Sequence, residues 1–127
     1  MYQESTSGIS IVVQPTFLRE HSNPEQGIYV FSYEVTIMNE GRQPAKLLSR
    51  HWIIRDGEGT EREVKGPGVV GEQPEIAPGA SFTYSSFCPL PTPTGSMRGS
   101  FQMQREDGTE FEAKVPLFFL RDLTPYH

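Results

Sequence analysis

Ile28-Tyr29-Val30-Phe31-Ser32-Tyr33-Glu34-Val35-Thr36-Ile37-Met38 is the stretch that decides the fold. Tyr29, Phe31, Tyr33, Val35 and Ile37 fall on alternate positions, with Val30, Ser32, Glu34 and Thr36 between them. A period of two puts the aromatic and β-branched side chains on one face of an extended chain. The run therefore predicts an antiparallel strand buried on one side. Ile9 to Phe17 reads alike: Ile9, Ile11, Val13 and Phe17 share a face, and Pro15 marks a bulge or an edge.

Working outward, strands are expected at Ala45–Arg55, Thr60–Lys65, Ser81–Phe87, Gly99–Arg105 and Thr109–Leu117. Turn chemistry separates them at Asn39-Glu40-Gly41, Asp56-Gly57-Glu58-Gly59, Pro78-Gly79 and Asp107-Gly108. The last hairpin can be registered from side-chain facing. A two-residue loop at Asp107-Gly108 would oppose Gln104 to Phe111 and Met103 to Glu112, polar against apolar. A three-residue loop, Glu106-Asp107-Gly108 with Gly108 left-handed, opposes Met103 to Phe111 and Phe101 to Ala113. It leaves Gln102 with Glu112 and Ser100 with Lys114 on the other face, so the longer loop is the expected one.

About seven short strands with no helix between them describe an all-β antiparallel sandwich, with a closed barrel as the alternative. Tyr29, Phe31, Tyr33, Val35, Ile37, Trp52, Ile54, Phe101, Met103 and Phe111 are the expected core. Cys88 is the single cysteine, so the immunoglobulin-type internal disulfide is impossible and a fibronectin type III-like sandwich fits better. Pro89-Leu90-Pro91-Thr92-Pro93 is expected to be extended and exposed. The chain of 127 residues reads as one domain, 1–127, with no internal repeat.

Eleven basic against sixteen acidic side chains give a net charge of −5, a field that disfavours nucleic acid. No apolar run approaches membrane-spanning length and no leader pattern is visible, so a cytoplasmic protein without membrane insertion is expected.

Gly66, Gly68 and Gly71 satisfy G-x-G-x-x-G, the spacing of a dinucleotide-binding loop. That loop works because a helix follows and points its positive end at the pyrophosphate. Here Glu72-Gln73-Pro74-Glu75-Ile76-Ala77-Pro78-Gly79 follows, and Pro78 ends any helix before it is useful. Glu72 and Glu75 add negative charge where a phosphate would sit. The glycines are expected to serve a strand-connecting loop at positive φ.

Other constellations also fall short of known chemistry. Asp56, Glu58 and Thr60 begin like a calcium loop, but Glu61 and Pro67 stand where glycine and a bidentate glutamate are wanted. His21, His51 and His127 have no metal-ligand spacing. A lone Cys88 between Phe87 and Pro89 reads as a small packed residue and not as a nucleophile, and Ser85-Ser86 lacks the strand-to-helix elbow of a serine nucleophile. Arg50-His51-Trp52 is the most enzyme-like cluster, yet along a strand Arg50 and Trp52 share one face and His51 takes the other. No catalytic residue, no cofactor and no metal ligand is expected.

Leu48-Ser49-Arg50-His51-Trp52, Gly66-x-Gly68-Val69-Val70-Gly71-Glu72, Pro78-Gly79, Tyr84-Ser85-Ser86, Thr94-Gly95-x-Met97-x-Gly99 and Val115-Pro116 together resemble the ApaG family. The resemblance runs from about Gly8 to Leu120, and Phe87 departs from it where the family more often has glycine. It implies a fibronectin type III-like sandwich and an association with cobalt resistance and magnesium efflux, frequently beside the gene of a diadenosine-tetraphosphate hydrolase. Related domains inside larger eukaryotic proteins resemble partner-binding modules.

The expected function is a non-catalytic protein-binding module, linked only indirectly to metal export. Its partner would be another protein, met by Arg50, His51, Gly66, Gly68, Val69, Val70 and Gly71, with Pro89–Pro93 nearby. Val69-Val70 would be an exposed apolar anchor, or both valines would close the end of the sandwich. The alternative is a phosphoanion- or nucleotide-binding protein using Gly66–Gly71 with Arg50 and Lys65. On the module reading, a nucleotide or divalent cation binds weakly if at all. Monomer and homodimer are both open.

Overall fold

The computed structural model describes residues 1–122. His127 therefore lies outside the described residues. The elements are β1 (Tyr2–Thr6), β2 (Ile9–Phe17), β3 (Tyr29–Asn39), β4 (Ala45–Asp56), β5 (Glu61–Pro67), β6 (Glu75–Ile76), β7 (Ser81–Leu90), β8 (Thr94–Arg105) and β9 (Glu110–Arg121). Between β2 and β3 the chain makes short 3-10 turns at Arg19–His21 and Pro24–Gln26. One sheet runs β1-β2-β3-β7; the other runs β5-β4-β8-β9, with β6 also paired to β4. All pairings are antiparallel. With β1 set aside as an addition, the order of the remaining strands is that of a fibronectin type III sandwich.

The alternation in β3 buries Phe31, Tyr33, Val35 and Ile37, while Glu34 and Met38 are exposed. Their inward side chains meet those of the second sheet. The Trp52 ring stands edge-on to Phe101 and Phe118, each 6.0 Å away, and 5.5 Å from Tyr33. Tyr29 and Phe111 pack against this core without being fully buried. The β8–β9 hairpin has Met103 opposite Phe111, Phe101 opposite Ala113, Gln102 opposite Glu112 and Ser100 opposite Lys114, as facing requires. Gly108 sits at φ 88°.

Pro15 pairs with Tyr33 on β3, but β1 ends at the Tyr2–Val13 pair, so no ladder bond on the β1 side is lost to the missing N–H. The proline-rich stretch differs from expectation. β7 continues through Leu90, and the alternation carries Cys88, Leu90 and Thr92 inward, leaving only Pro89, Pro91 and Pro93 exposed. Thr92 Oγ1 accepts the Gly57 N–H at 2.7 Å and donates to the Thr94 carbonyl at 2.7 Å, which ties the stretch to the β4–β5 turn.

The sides of the sandwich differ. On one, β1 lies along β9: the Tyr2 and Phe118 rings are 6.1 Å apart, and the Lys114 N–H reaches Thr6 Oγ1 at 3.4 Å. On the other, β5 and β7 are both sheet edges, and no ladder joins them. The candidate site lies on this second side.

Candidate functional site

Arg50 and Gly66 are directly opposed in the β4–β5 ladder. A Cβ on residue 66 would sit 3.0–3.1 Å from the Arg50 guanidinium, so the missing side chain is what makes room for the arginine. Arg50 Nη1 then donates to the carbonyls of Pro67 at 2.9 Å and Gly68 at 3.1 Å. This clamp starts the loop that runs from β5 to β6. The bulge between Leu47 and Ser49 removes Leu48 from the β8 ladder. Its carbonyl instead accepts the Gly68 N–H at 2.9 Å and Gln73 Nε2 at 2.8 Å. The Leu47 N–H, in turn, donates to the Pro74 carbonyl at 2.9 Å.

At the tip, Val69 and Glu72 exchange both backbone bonds, at 2.8 and 2.9 Å, around Val70 at φ 42° and Gly71 at φ 82°. Positive φ at both central positions is the type I′ turn. Gly68 is also left-handed, at φ 61°, whereas Gly66 is not. The turn separates the paired valines: Val69 is 0% exposed and Val70 54%. Val69 thus belongs to the core and supports the loop from below, and Val70 alone is presented. The N–H groups of Gly68, Val69 and Glu72 are all bonded within the protein, so the loop is a braced hairpin rather than a ring of free amides.

His51 faces away from Arg50, on the outer side of the second sheet. Its Nε2 lies 3.5 Å from Glu63 Oε1, an ion-pair distance only when the imidazole is protonated. Lys65, its ladder neighbour, is exposed there too. Gly66, Gly68 and Arg50 are therefore brought together, Val70 and Gly71 form the tip above them, and His51 stands apart. Asp56 is a turn residue, its Oδ1 accepting the N–H groups of Glu58 and Thr60. Among the described residues no group of His, Cys, Asp and Glu has the arrangement of a metal centre.

The inward side of Arg50 meets residues that the expected site did not include. Tyr33 and Tyr84 face it across the gap between the sheets. Burial pushes both phenols above their ordinary pKa, partly opposed by the Arg50 charge; the Ser86 hydroxyl also hydrogen-bonds Tyr33. Further along, Arg62 Nη2 crosses from β5 to the Pro89 carbonyl at 3.0 Å, with Cys88 Sγ at 3.8 Å. Burial raises the Cys88 thiol pKa, against the pull of Arg62, which leaves it protonated and unreactive at neutral pH. The available signal was parity: Arg62, Val64 and Gly66 share a face, as do Arg50, Trp52 and Ile54.

Fold and loop together define a β-sandwich that carries a braced, inward-clamped hairpin on its open side. The ApaG domain matches residues 19–105. Protein ApaG of Methylobacterium nodulans is 52% identical over 120 residues, 94% of this chain and 92% of that one. Protein ApaG of Ectopseudomonas mendocina is 56% identical over 112 residues, 88% and 89% of the two chains. A crystal structure of a Bordetella pertussis protein called ApaA superposes with a TM-score of 0.90 at 45% identity, covering 98% of this chain and 100% of that one. The chain belongs to the ApaG family.

Proposed function

We propose that the chain is a non-catalytic cytoplasmic module that binds another protein through the tip of the Gly66–Glu75 loop. The observation that carries this reading is Val70. It is a β-branched residue at φ 42°, 54% exposed, in a turn position suited to asparagine or glycine. The left-handed conformation costs an L-residue about 1–2 kcal/mol. Strain of this kind persists where the surroundings enforce it, and it collects at sites of recognition. The Arg50 clamp and the Leu48 carbonyl do the enforcing, so an apolar tip is held ready without ordering cost at binding.

A catalytic role has less support, since the Cys88 thiol is held protonated and Ser85 and Ser86 lie on a strand with no helix behind them. The phosphoanion alternative would have to do without the Gly68, Val69 and Glu72 amides. The family's association with cobalt resistance and magnesium efflux would reach this chain through the bound partner. No described helix is long and apolar enough to cross a membrane.

Val70→Asn tests the reading, because asparagine tolerates the left-handed turn while deleting the apolar tip. It should raise stability by about 1 kcal/mol and abolish capture of the partner. Unchanged capture by a stabilised Val70→Asn protein would remove the tip from the interface.

A further inference from the structure

We propose that the open edge of β7 accepts an extended peptide strand whose side chains alternate between acidic and apolar, the acidic ones facing Arg62 and Arg50. The inference does not depend on the Val70 tip being an interface.

The direction of the edge follows from Val30 and Pro89, which are paired across β3 and β7. Val30 accepts the Leu18 N–H at 2.8 Å and donates to Ser22 Oγ at 2.9 Å, both on the side away from β7. The Val30–Pro89 pair is therefore not hydrogen-bonded, and the Pro89 carbonyl turns outward, where Arg62 meets it. The β3–β7 register is unbroken from Tyr29–Leu90 to Met38–Ser81. Antiparallel alternation then puts the N–H and C=O of Thr83, Ser85 and Phe87 on the same outward edge. None of these groups has a partner among the described residues. They span about 13 Å, room for a strand of about five residues.

Proteins usually guard such an edge with lysine, proline or a bulge. From Ser81 to Leu90 there is no charged residue, and the only proline is Pro89 at the end. The chain elsewhere is rich in charge, with a net −5, so this edge is locally unprotected. Added strands on such edges take affinity from main-chain bonds and specificity from alternate side chains.

The two sides of the edge ask for different side chains. Those beside Thr83, Ser85 and Phe87 on the outer face meet Phe87, 65% exposed, and the half-buried Val30. The intervening ones turn into the gap between the sheets. There, among the described residues, the Arg62 and Arg50 guanidiniums bond only to carbonyls and the Cys88 sulfur, and no carboxylate lies within ion-pair distance of either. Beyond Pro89 the gap widens into a cavity of about 360 Å³ lined by Ile28, Ile54, Arg62 and Leu90 and also by Asp56 and Glu61, so the acidic side chains belong beside Arg62 and Arg50 and not in this cavity. A glutamate or aspartate pointing inward would pair with Arg62, and a valine or isoleucine pointing outward would cover Phe87.

The test is an NMR titration of the full chain with the probe Val-Glu-Val-Glu-Val, capped at both ends. Saturable shifts and slowed hydrogen exchange should appear at Thr83, Ser85 and Phe87. A Val-Lys-Val-Lys-Val probe should bind at least tenfold more weakly, and so should the glutamate probe to Arg62→Glu. Ser85→Pro should abolish binding; its N–H faces the open edge, on the same register as the proline already at 89. Should that variant fold poorly, N-methylation of the probe's edge-facing amides removes the same bonds and leaves the protein untouched. Equal binding of the lysine probe, of the methylated probe, or shifts that map elsewhere would overturn the proposal. So would sedimentation showing that β7 already pairs with a second copy and excludes the probe. Failure of this test together with loss of capture in Val70→Asn would leave the tip as the interface and discard only the edge.

Discussion

Gly68→Ala and Gly71→Ala alter glycines of the same spaced motif, and the loop geometry predicts different outcomes. A Cβ on residue 68 would lie 2.1 Å from the Glu72 carbonyl oxygen, which is backbone and cannot step aside. A Cβ on residue 71 meets nothing within 4 Å. Both positions are left-handed, at φ 61° and 82°, so each alanine bears about 1–2 kcal/mol of conformational cost. Each also regains about 0.4–1 kcal/mol from its stiffer unfolded chain. Gly71→Ala should therefore lose about 0.5–1 kcal/mol. Gly68→Ala in addition breaks the reciprocal Val69–Glu72 bonds, about 1 kcal/mol each, and should lose about 3 kcal/mol. For a domain of this size that means a Tm lower by roughly 10–15 °C against a few degrees for Gly71→Ala. Thermal unfolding followed by Trp52 fluorescence reads the difference directly, since Trp52 is buried. Matched losses in the two variants would refute the braced hairpin, because free loop amides would treat the two glycines alike. The same comparison shows that Gly68→Ala is a poor probe of ligand binding, and Gly71→Ala a clean one.

Val69→Asp places a carboxylate at a site that is 0% exposed, and the chain should fail to fold, seen as loss of dispersed NMR signals and of the cooperative transition. Tyr33 and Tyr84 both have raised phenol pKa values, so the folded state keeps protons that the unfolded state releases. Their stabilising effect is complete below the ordinary tyrosine pKa of about 10 and is lost as the pH rises above it toward the raised folded-state values. Urea midpoints between pH 9 and 11.5 should show this decline, and its persistence in a Tyr33→Phe, Tyr84→Phe protein would assign it elsewhere. The Cys88 thiol, buried and raised in pKa, should react with a disulfide reagent only after unfolding; prompt reaction of the native protein would contradict its placement.

Period-two patterning made β3 legible, because its aromatic and β-branched residues admit only one facing. The β8–β9 register followed from the same rule, since only one loop length keeps Met103 and Phe111 together. β1 left no such trace. Gln3, Glu4 and Ser5 carry no apolar alternation, and the strand exists because β2 offers it an edge. β6 is a two-residue pairing that covers the part of β4 beyond the reach of β5, and only the assembled sheet requires it. The prolines at 89, 91 and 93 concealed the inward alternation of Cys88, Leu90 and Thr92, because proline suggested exposure for the whole segment.

In the candidate site, Pro78 was enough to rule out a dinucleotide-type helix. The place of Arg50 was hidden, because it depends on Gly66 lying opposite in the β4–β5 register. The parting of Val69 from Val70 depends on the type I′ reversal at the tip, which a Val-Gly pair does not announce. Strand parity gives the face of Arg62, but its place beside Cys88 and Pro89 is a consequence of sheet packing.

The most direct test of the protein-binding account is photocrosslinking in the source cells, with a photoreactive residue at position 70 and, as control, at the exposed Glu58. The account predicts a discrete adduct to one protein from position 70 that is absent from position 58 and is competed by the untagged chain. Identical crosslinking from both positions, or none from position 70, would contradict it.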